Sequence, residues 1–177
     1  MSVRKSFFIT FEGPDGSGKS TIIKMVAQHL SENNIEYVLT REPGGSKIAE
    51  EIRNVILDPK NTNLSASTEA LLYAASRAQH FDEIIKPALD HDKIVLCDRF
   101  LDSSLVYQGI ARKLGVKEVL EINRLDNEDI AFHQEVYRGY QEIIKTDKSR
   151  FMVVDASQSI DRVFKDTLAC IEERYNG

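Results

Sequence analysis

The chain has 177 residues, 42% hydrophobic and 29% charged, which is the make-up of a single globular domain spanning 1–177 with a real core. Its 23 basic and 28 acidic residues leave a net charge of −5, so nothing global points to nucleic acid or a membrane surface as partner. No apolar run approaches membrane-spanning length, no leader fits between Met1 and the first strand, and Cys97 and Cys170 lack metal spacing, so a cytoplasmic protein is expected.

In chain order, the apolar, aromatic-rich run from Phe7 to Phe11 reads as a buried strand. It leads into Gly13-Pro14-Asp15-Gly16-Ser17-Gly18-Lys19-Ser20, which fits G-x-x-x-x-G-K-[ST] at every fixed position. A helical pattern follows from Thr21 to Leu30 and ends near Ser31-Glu32-Asn33-Asn34. The glycines let backbone N–H groups turn inward around phosphate oxygens, and the helix start adds its positive dipole end. Lys19 supplies a charge for the outer phosphates and Ser20 a hydroxyl for the accompanying magnesium. This stretch predicts nucleotide binding.

Residues 36–40 form a short second strand, closed by Arg41-Glu42-Pro43-Gly44-Gly45. Ile48, Ile52, Val55, Ile56 and Leu57 mark a helix that Asp58-Pro59 ends. Ser67 or Thr68 is the expected cap of the next helix, which runs through Leu71, Leu72 and Ala75 until Pro87 breaks or kinks it. Residues 93–98 are an apolar run ending in charge, read as a third buried parallel strand, with Cys97 a small core residue. Helical patterns fill 103–113, 116–123 and about 127–145. Residues 151–155 read as a last strand and 159–174 as a last amphipathic helix.

Strands alternating with helices predict a parallel sheet covered on both faces, with the ligand beyond the carboxyl ends of the strands. That rule gathers Gly13–Ser20, Arg41–Gly45 and Asp98-Arg99 into one expected site. Asp98 stands where such enzymes place the acid that holds magnesium or its waters, and Arg99 can pair bidentately with a phosphate. Arg41–Gly45 read locally is also an ordinary turn. Tyr73 and Arg77, four apart, share a helix face, where packing is the commoner use of a tyrosine. Asp102-Ser103-Ser104-Leu105-Val106-Tyr107-Gln108-Gly109 is dense in polar groups, and the Gln108 amide suits a base edge. His29, His80, His91 and His133 have no metal spacing and no evident acid–base partner, and read as surface or structural.

On these motifs, taken with Ala74-Ala75-Ser76-Arg77 and Asp98-Arg99-Phe100, the chain resembles the thymidylate kinases of the bacterial type from its first strand to its last helix. The resemblance implies a P-loop three-layer α/β fold, transfer of the ATP γ-phosphoryl group to dTMP with Mg2+, and a homodimer packed through helices around Asp102–Gln108. It implies that Gly13, Pro14, Asp15, Gly16, Ser17, Gly18, Lys19, Ser20 and Thr21 hold ATP, with Asp15 near the substrate 3′-hydroxyl. Lys19, Arg99, Asp98 and Asp15 become the catalytic set, and Ser20 and Asp98 the magnesium ligands. For dTMP it implies Arg53 at the phosphate, Glu42 helping to organise the substrate side of the site, and Tyr73 stacking on thymine. Arg77, Gln108 and Ser104 fall at the base edge, with Tyr107 against the ribose 2′ position and Arg99 on the phosphate.

The chain departs from that pattern in one place. After Val119-Leu120-Glu121-Ile122-Asn123 the family has a further strand, a helix and an arginine-bearing lid, whereas here Asn123 runs directly into Arg124. One central strand-helix-lid unit, roughly thirty residues, is expected to be absent, either as a real internal deletion or as a segment left out of the sequence as written. The last strand would then move over to pair with the first in a four-stranded sheet, and Arg124 would be the remaining lid cation or a plain helix-start charge. A nucleotide-binding protein with weak or no kinase activity, and a P-loop kinase for another small substrate, stand as alternatives.

Overall fold

The apolar run Ile94–Asp98 (β3) is the middle strand of a parallel sheet in the order β1-β3-β2, with β1 at Phe8–Phe11 and β2 at Tyr37–Arg41. The computed structural model describes residues 6–122, 139–145 and 150–176. Ile94 and Leu96 face one side of the sheet, against Ile22, Ile23, Val26, Ala27 and Leu30 of α1 (Lys19–Glu32) and Val163 of α8 (Ile160–Asn176). Val95 faces the other, against Ile85 and against Ala88 of α4 (Lys86–Asp90). Alternate residues thus meet two different helix layers, which is why the strand is apolar throughout rather than at every second position. Cys97 is fully buried there.

On the second layer, α2 (Lys47–Leu57) packs on α3 (Ala66–His80) through Ile56 and Tyr73. The cap of α3 is Ser65, whose Oγ accepts from the Thr68 N–H at 3.1 Å, not the expected Ser67 or Thr68. Both of those residues already lie inside the first helical turn. Pro87 does not break the chain's helical course. α3 continues into π-helical turns at Phe81–Ile85 and then α4. The wider turns give the proline ring room against the preceding carbonyls, and its missing N–H leaves one bond fewer to place. Beyond β3 come α5 (Leu101–Ser104), a π-helical continuation at Leu105–Ala111, α6 (Val116–Ile122) and helical residues 139–145 (α7). Asn123, Arg124, His133 and the helix expected over 127–138 lie outside the described residues.

The expected strand at 151–155 is not formed, and the described sheet has three strands rather than four. Phe151 packs beside Val106, Tyr107, Tyr140 and Ile143, while Val154 packs on the cluster of α1, β3 and α8. Two clusters on different elements hold this segment. Val153 between them is 67% exposed, which a strand seated within a covered sheet would not allow.

Candidate functional site

Phe11 and Arg41 are both in register with Asp98, so the three strands end at one level and release their following turns side by side. Between those turns lies a cleft of about 440 Å³. The loop after β1 lines it through Asp15, Gly16, Gly18, Lys19, Ser20 and Thr21, the turn after β2 through Arg41 and Glu42, and β3 through Asp98 and Arg99. Arg53 reaches in from α2 and donates to the Pro43 carbonyl at 2.7 Å. All three predicted stretches meet here.

Gly16 and Gly18 have φ of 78° and 83°, and nothing would touch a Cβ at either, so glycine is required there by conformation rather than by space. With the loop turned this way, Gly18 starts α1 by accepting from Thr21 and Ile22 N–H. Lys19 folds back and donates to the Pro14 carbonyl at 2.7 Å. Burial, then the neighbouring Arg99 charge, push its pKa down to about 8. Ser20 Oγ donates to Asp98 Oδ2 at 2.6 Å. A hydroxyl and a carboxylate in contact at a phosphate loop form a hard oxygen set that fits magnesium, which takes few protein ligands and completes its shell with phosphates and water.

Arg99 has φ +70°, an uncommon conformation for a residue with a Cβ, and this turns its side chain back over the loop. Its guanidinium donates to Asp15 Oδ1, to Tyr107 OH at 3.0 Å and to Ser103 Oγ at 3.1 Å, and lies 4.8 Å from the centre of the Tyr107 ring. Tyr107 OH in turn donates to Asp15 Oδ2 at 3.0 Å. Burial acts to raise the Asp15 carboxyl, but Arg99 outweighs it and, with the Tyr107 bond, holds the group below the usual carboxylate range. Burial pushes the Tyr107 hydroxyl up to about 12, so it remains a donor at neutral pH.

Tyr73, Arg77, Ser104, Tyr107 and Gln108 do not line this cleft but stand behind it. Tyr73, Ser76, Arg77 and His80 form one buried stripe of α3. Arg77 Nε donates to Glu42 Oε2 at 2.6 Å, and its NH2 group to Ser104 Oγ at 2.8 Å. Gln108 is fully buried, and neither its nitrogen nor its oxygen has a hydrogen-bond partner among the described residues. An orphaned amide is costly unless something else completes it. Tyr73 is 1% exposed and packs on Ile56, so its ring is held in the α2–α3 cluster.

Three groups went unrecognised in the sequence. His80, read as surface or structural with no evident acid–base partner, is wholly buried and bonds Glu42 and Thr40. Its spacing of three from Arg77 and seven from Tyr73 is the signal that would have placed it on the same stripe. The Glu12 carboxylate accepts from Phe100 N–H at 2.8 Å and from Ser103 Oγ, with Tyr140 OH at 3.4 Å, and thereby pins the turn that carries Arg99. Desolvation there pushes its pKa up to about 7. Tyr140 comes from a distant helix and no local pattern announces it.

The family model described as thymidylate kinase matches residues 11–125. A thymidylate kinase of Lactobacillus acidophilus is 45% identical over 206 aligned residues, covering 96% of this chain and 95% of that protein. One of Finegoldia magna is 48% identical, covering 94% of this chain and 98% of the relative. Among solved structures, the thymidylate kinase of Ehrlichia chaffeensis superposes with a TM-score of 0.83 at 36% identity, covering 95% of this chain and 99% of the other. The 206 aligned positions take in 96% of this chain's 177 residues, about 170, which leaves about 36 positions of the Lactobacillus protein without a counterpart here. That is the size of the unit expected to be absent after Asn123.

Proposed function

The chain belongs to the thymidylate kinase family, and from that premise we propose that residues 1–177 form one domain that uses this cleft to move the γ-phosphoryl group of ATP onto dTMP, giving dTDP and ADP. The observation that carries the proposal is the convergence of Lys19, Arg53 and Arg99 on one cleft, with the phosphate loop at one end and the Arg41–Glu42 turn at the other. Phosphoryl transfer asks for two phosphates held in line and for neutralised charge, not for a strong nucleophile. The loop amides from Gly13 to Thr21 and Lys19 bind the donor phosphates. Ser20 and Asp98 would hold magnesium, which would neutralise charge on the transferring group. Arg99 and Arg53 take the dTMP phosphate.

Asp15 lies between the two substrates on this reading, supported by its bonds to Arg99 and Tyr107. Tyr107 crowds the ribose 2′ position on the same reading, supported by the hydroxyl's bonds to Arg99 and Asp15. Arg77 and Gln108 read the base edge with Ser104 nearby, and Glu42 organises that side through its pair with Arg77; the unpartnered Gln108 amide supports a polar ligand there. Tyr73 supplies the aromatic surface for thymine, supported by its place on the Arg77 stripe.

The protein is further read as a homodimer, though Asp102–Gln108, the stretch around which it was expected to pack, is buried within the chain and offers no surface of its own. Leu71 on α3 and Leu120 on the neighbouring α6 are 60% and 54% exposed, an apolar surface that a second copy would cover. Size-exclusion chromatography with light scattering should give twice the chain mass, and Leu120→Lys should shift it to one. A cytoplasmic location fits two unpaired cysteines. Among the described residues no helix is long and apolar enough to cross a membrane.

A coupled assay of ADP release tests the activity. dTMP should give the highest kcat/KM, with dUMP, dCMP, dGMP and UMP well below. Clear preference for any of those four would overturn the assignment of Gln108 and Tyr107. Tight dTMP binding with turnover near background would overturn the kinase reading itself.

A further inference from the structure

His80 has no polar exposure, lies outside the cleft and is used by no step above, yet both of its ring nitrogens are engaged. Nδ1 is 3.1 Å from Glu42 Oε1, and Nε2 is 2.7 Å from Thr40 Oγ1. A carboxylate can only accept, so Nδ1 donates to it; with the ring neutral, Nε2 then accepts from the Thr40 hydroxyl. The bonds therefore run in one direction, from Thr40 through His80 to Glu42, whose other oxygen receives Arg77 Nε at 2.6 Å. Arg77 is tied at its far side to Ser104 Oγ and to the Phe100 carbonyl, 2.8 and 3.3 Å away.

The same ring supports the turn. A Cβ on Gly45 would come within 2.5 Å of His80 Cδ2 and Nε2, so the imidazole is the floor on which the Pro-Gly-Gly turn rests. The neighbouring Gly44 N–H donates to Ser76 Oγ, one helical turn before His80. The α3 stripe thus seats the turn after β2 and orients Arg77 through a shared carboxylate.

We propose that His80 is a positioning residue for the nucleoside half of the acceptor site: it fixes the Glu42 carboxylate, and through it the Arg77 guanidinium, in the orientation that meets the base. The proposal rests on the reading of Arg77 as a base contact. Removing the imidazole donor leaves Glu42 with one partner and lets its carboxylate and Arg77 rotate together. The γ-phosphoryl end, built on the loop after β1, does not depend on this chain of bonds.

The test is steady-state kinetics on the full chain with His80→Phe, which keeps the volume and deletes both hydrogen bonds. KM for dTMP should rise about tenfold or more, the loss of a hydrogen bond to a charged group, while KM for ATP stays within about twofold. His80→Gln, an amide that can donate and accept, should recover part of the loss. Should His80→Phe fail to fold, Thr40→Val removes the bond that holds the ring at Nε2, and should raise KM for dTMP alone by about threefold. Arg77→Lys separates the two ideas. If it raises KM for dTMP but His80→Phe and Thr40→Val do not, His80 only packs and the proposal is wrong. If Arg77→Lys also leaves that KM unchanged, the base-contact reading fails as well. Equal rises in both KM values for His80→Phe would likewise overturn a positioning role.

Discussion

The two ends of this site are built on opposite terms. At the phosphate end the Asp15 side chain is 63% exposed, and each cation leans on a group that an incoming anion can displace: Lys19 on a carbonyl, Arg99 on Asp15. At the base end the side chains of Glu42, Arg77 and His80 are 2%, 6% and 0% exposed and bonded into one chain. Exposed ion pairs contribute little and are readily exchanged. Buried ones are costly to break, so their geometry is kept whether or not a ligand is present. The wet end is suited to a charge that comes and goes in each turnover, the dry end to a shape that must be recognised every time. On the proposed reading, rate belongs to the first and selectivity to the second.

Lys19→Ala probes the wet end with the largest expected effect. Turnover should fall by about 10³-fold or more while circular dichroism and melting temperature stay near wild type, because the side chain bonds only its own loop. A collapse of the fold would contradict the contrast between the two ends.

The Glu12 carboxylate joins the ends, since it holds the turn of Arg99 from β1, α5 and α7 at once. Its pKa is raised from 4.5 to about 7, first by desolvation and then by the charge of Asp102, against the opposing pull of Ser103, Arg99 and Phe100 N–H. The folded chain therefore binds this proton more tightly than the unfolded one. The stability it contributes is complete below pH 4.5 and is lost as pH climbs through about 7. Denaturant unfolding across that window should show stability declining by up to about 3 kcal/mol, with Glu12→Gln removing most of the slope. An unchanged slope would assign the pH dependence to other groups.

The smallest effect probes the dry end. Gln108→Met exchanges an orphaned amide for an apolar chain of similar length, so the empty protein should gain about 1 kcal/mol, or about 2–4 °C in melting temperature. The same change should raise KM for dTMP about tenfold, since a polar site is then lost to the base. A loss of stability instead would mean that the amide is already satisfied without ligand.

The phosphate cradle was legible residue by residue from Gly13 to Ser20, and so were β1, β2 and β3 to within a residue or two. Arg41, by contrast, was visible only as part of a turn. The contacts of its NH2 group with both Glu50 oxygens at 2.8 and 2.9 Å, and its place in the cleft, depend on where α2 lies. The stretch at 151–155 shows the opposite error, since its apolar residues satisfy a strand pattern while packing on two separate clusters. Periodicity records which side chains avoid water but not which neighbour they meet.

Sequence alone determined the phosphate loop, the parallel α/β alternation and the level of the strand ends. A cradle of consecutive amides and a strand-to-helix turn are written in residues that are adjacent in the chain. Tertiary structure alone decided that His80 engages Glu42 and Thr40, that Glu12 reaches Tyr140, and that the segment at 151–155 stays outside the sheet. Those outcomes depend on partners 38, 40 and 128 positions away. A buried hydrogen bond, like a strand, exists only when another part of the chain arrives to complete it.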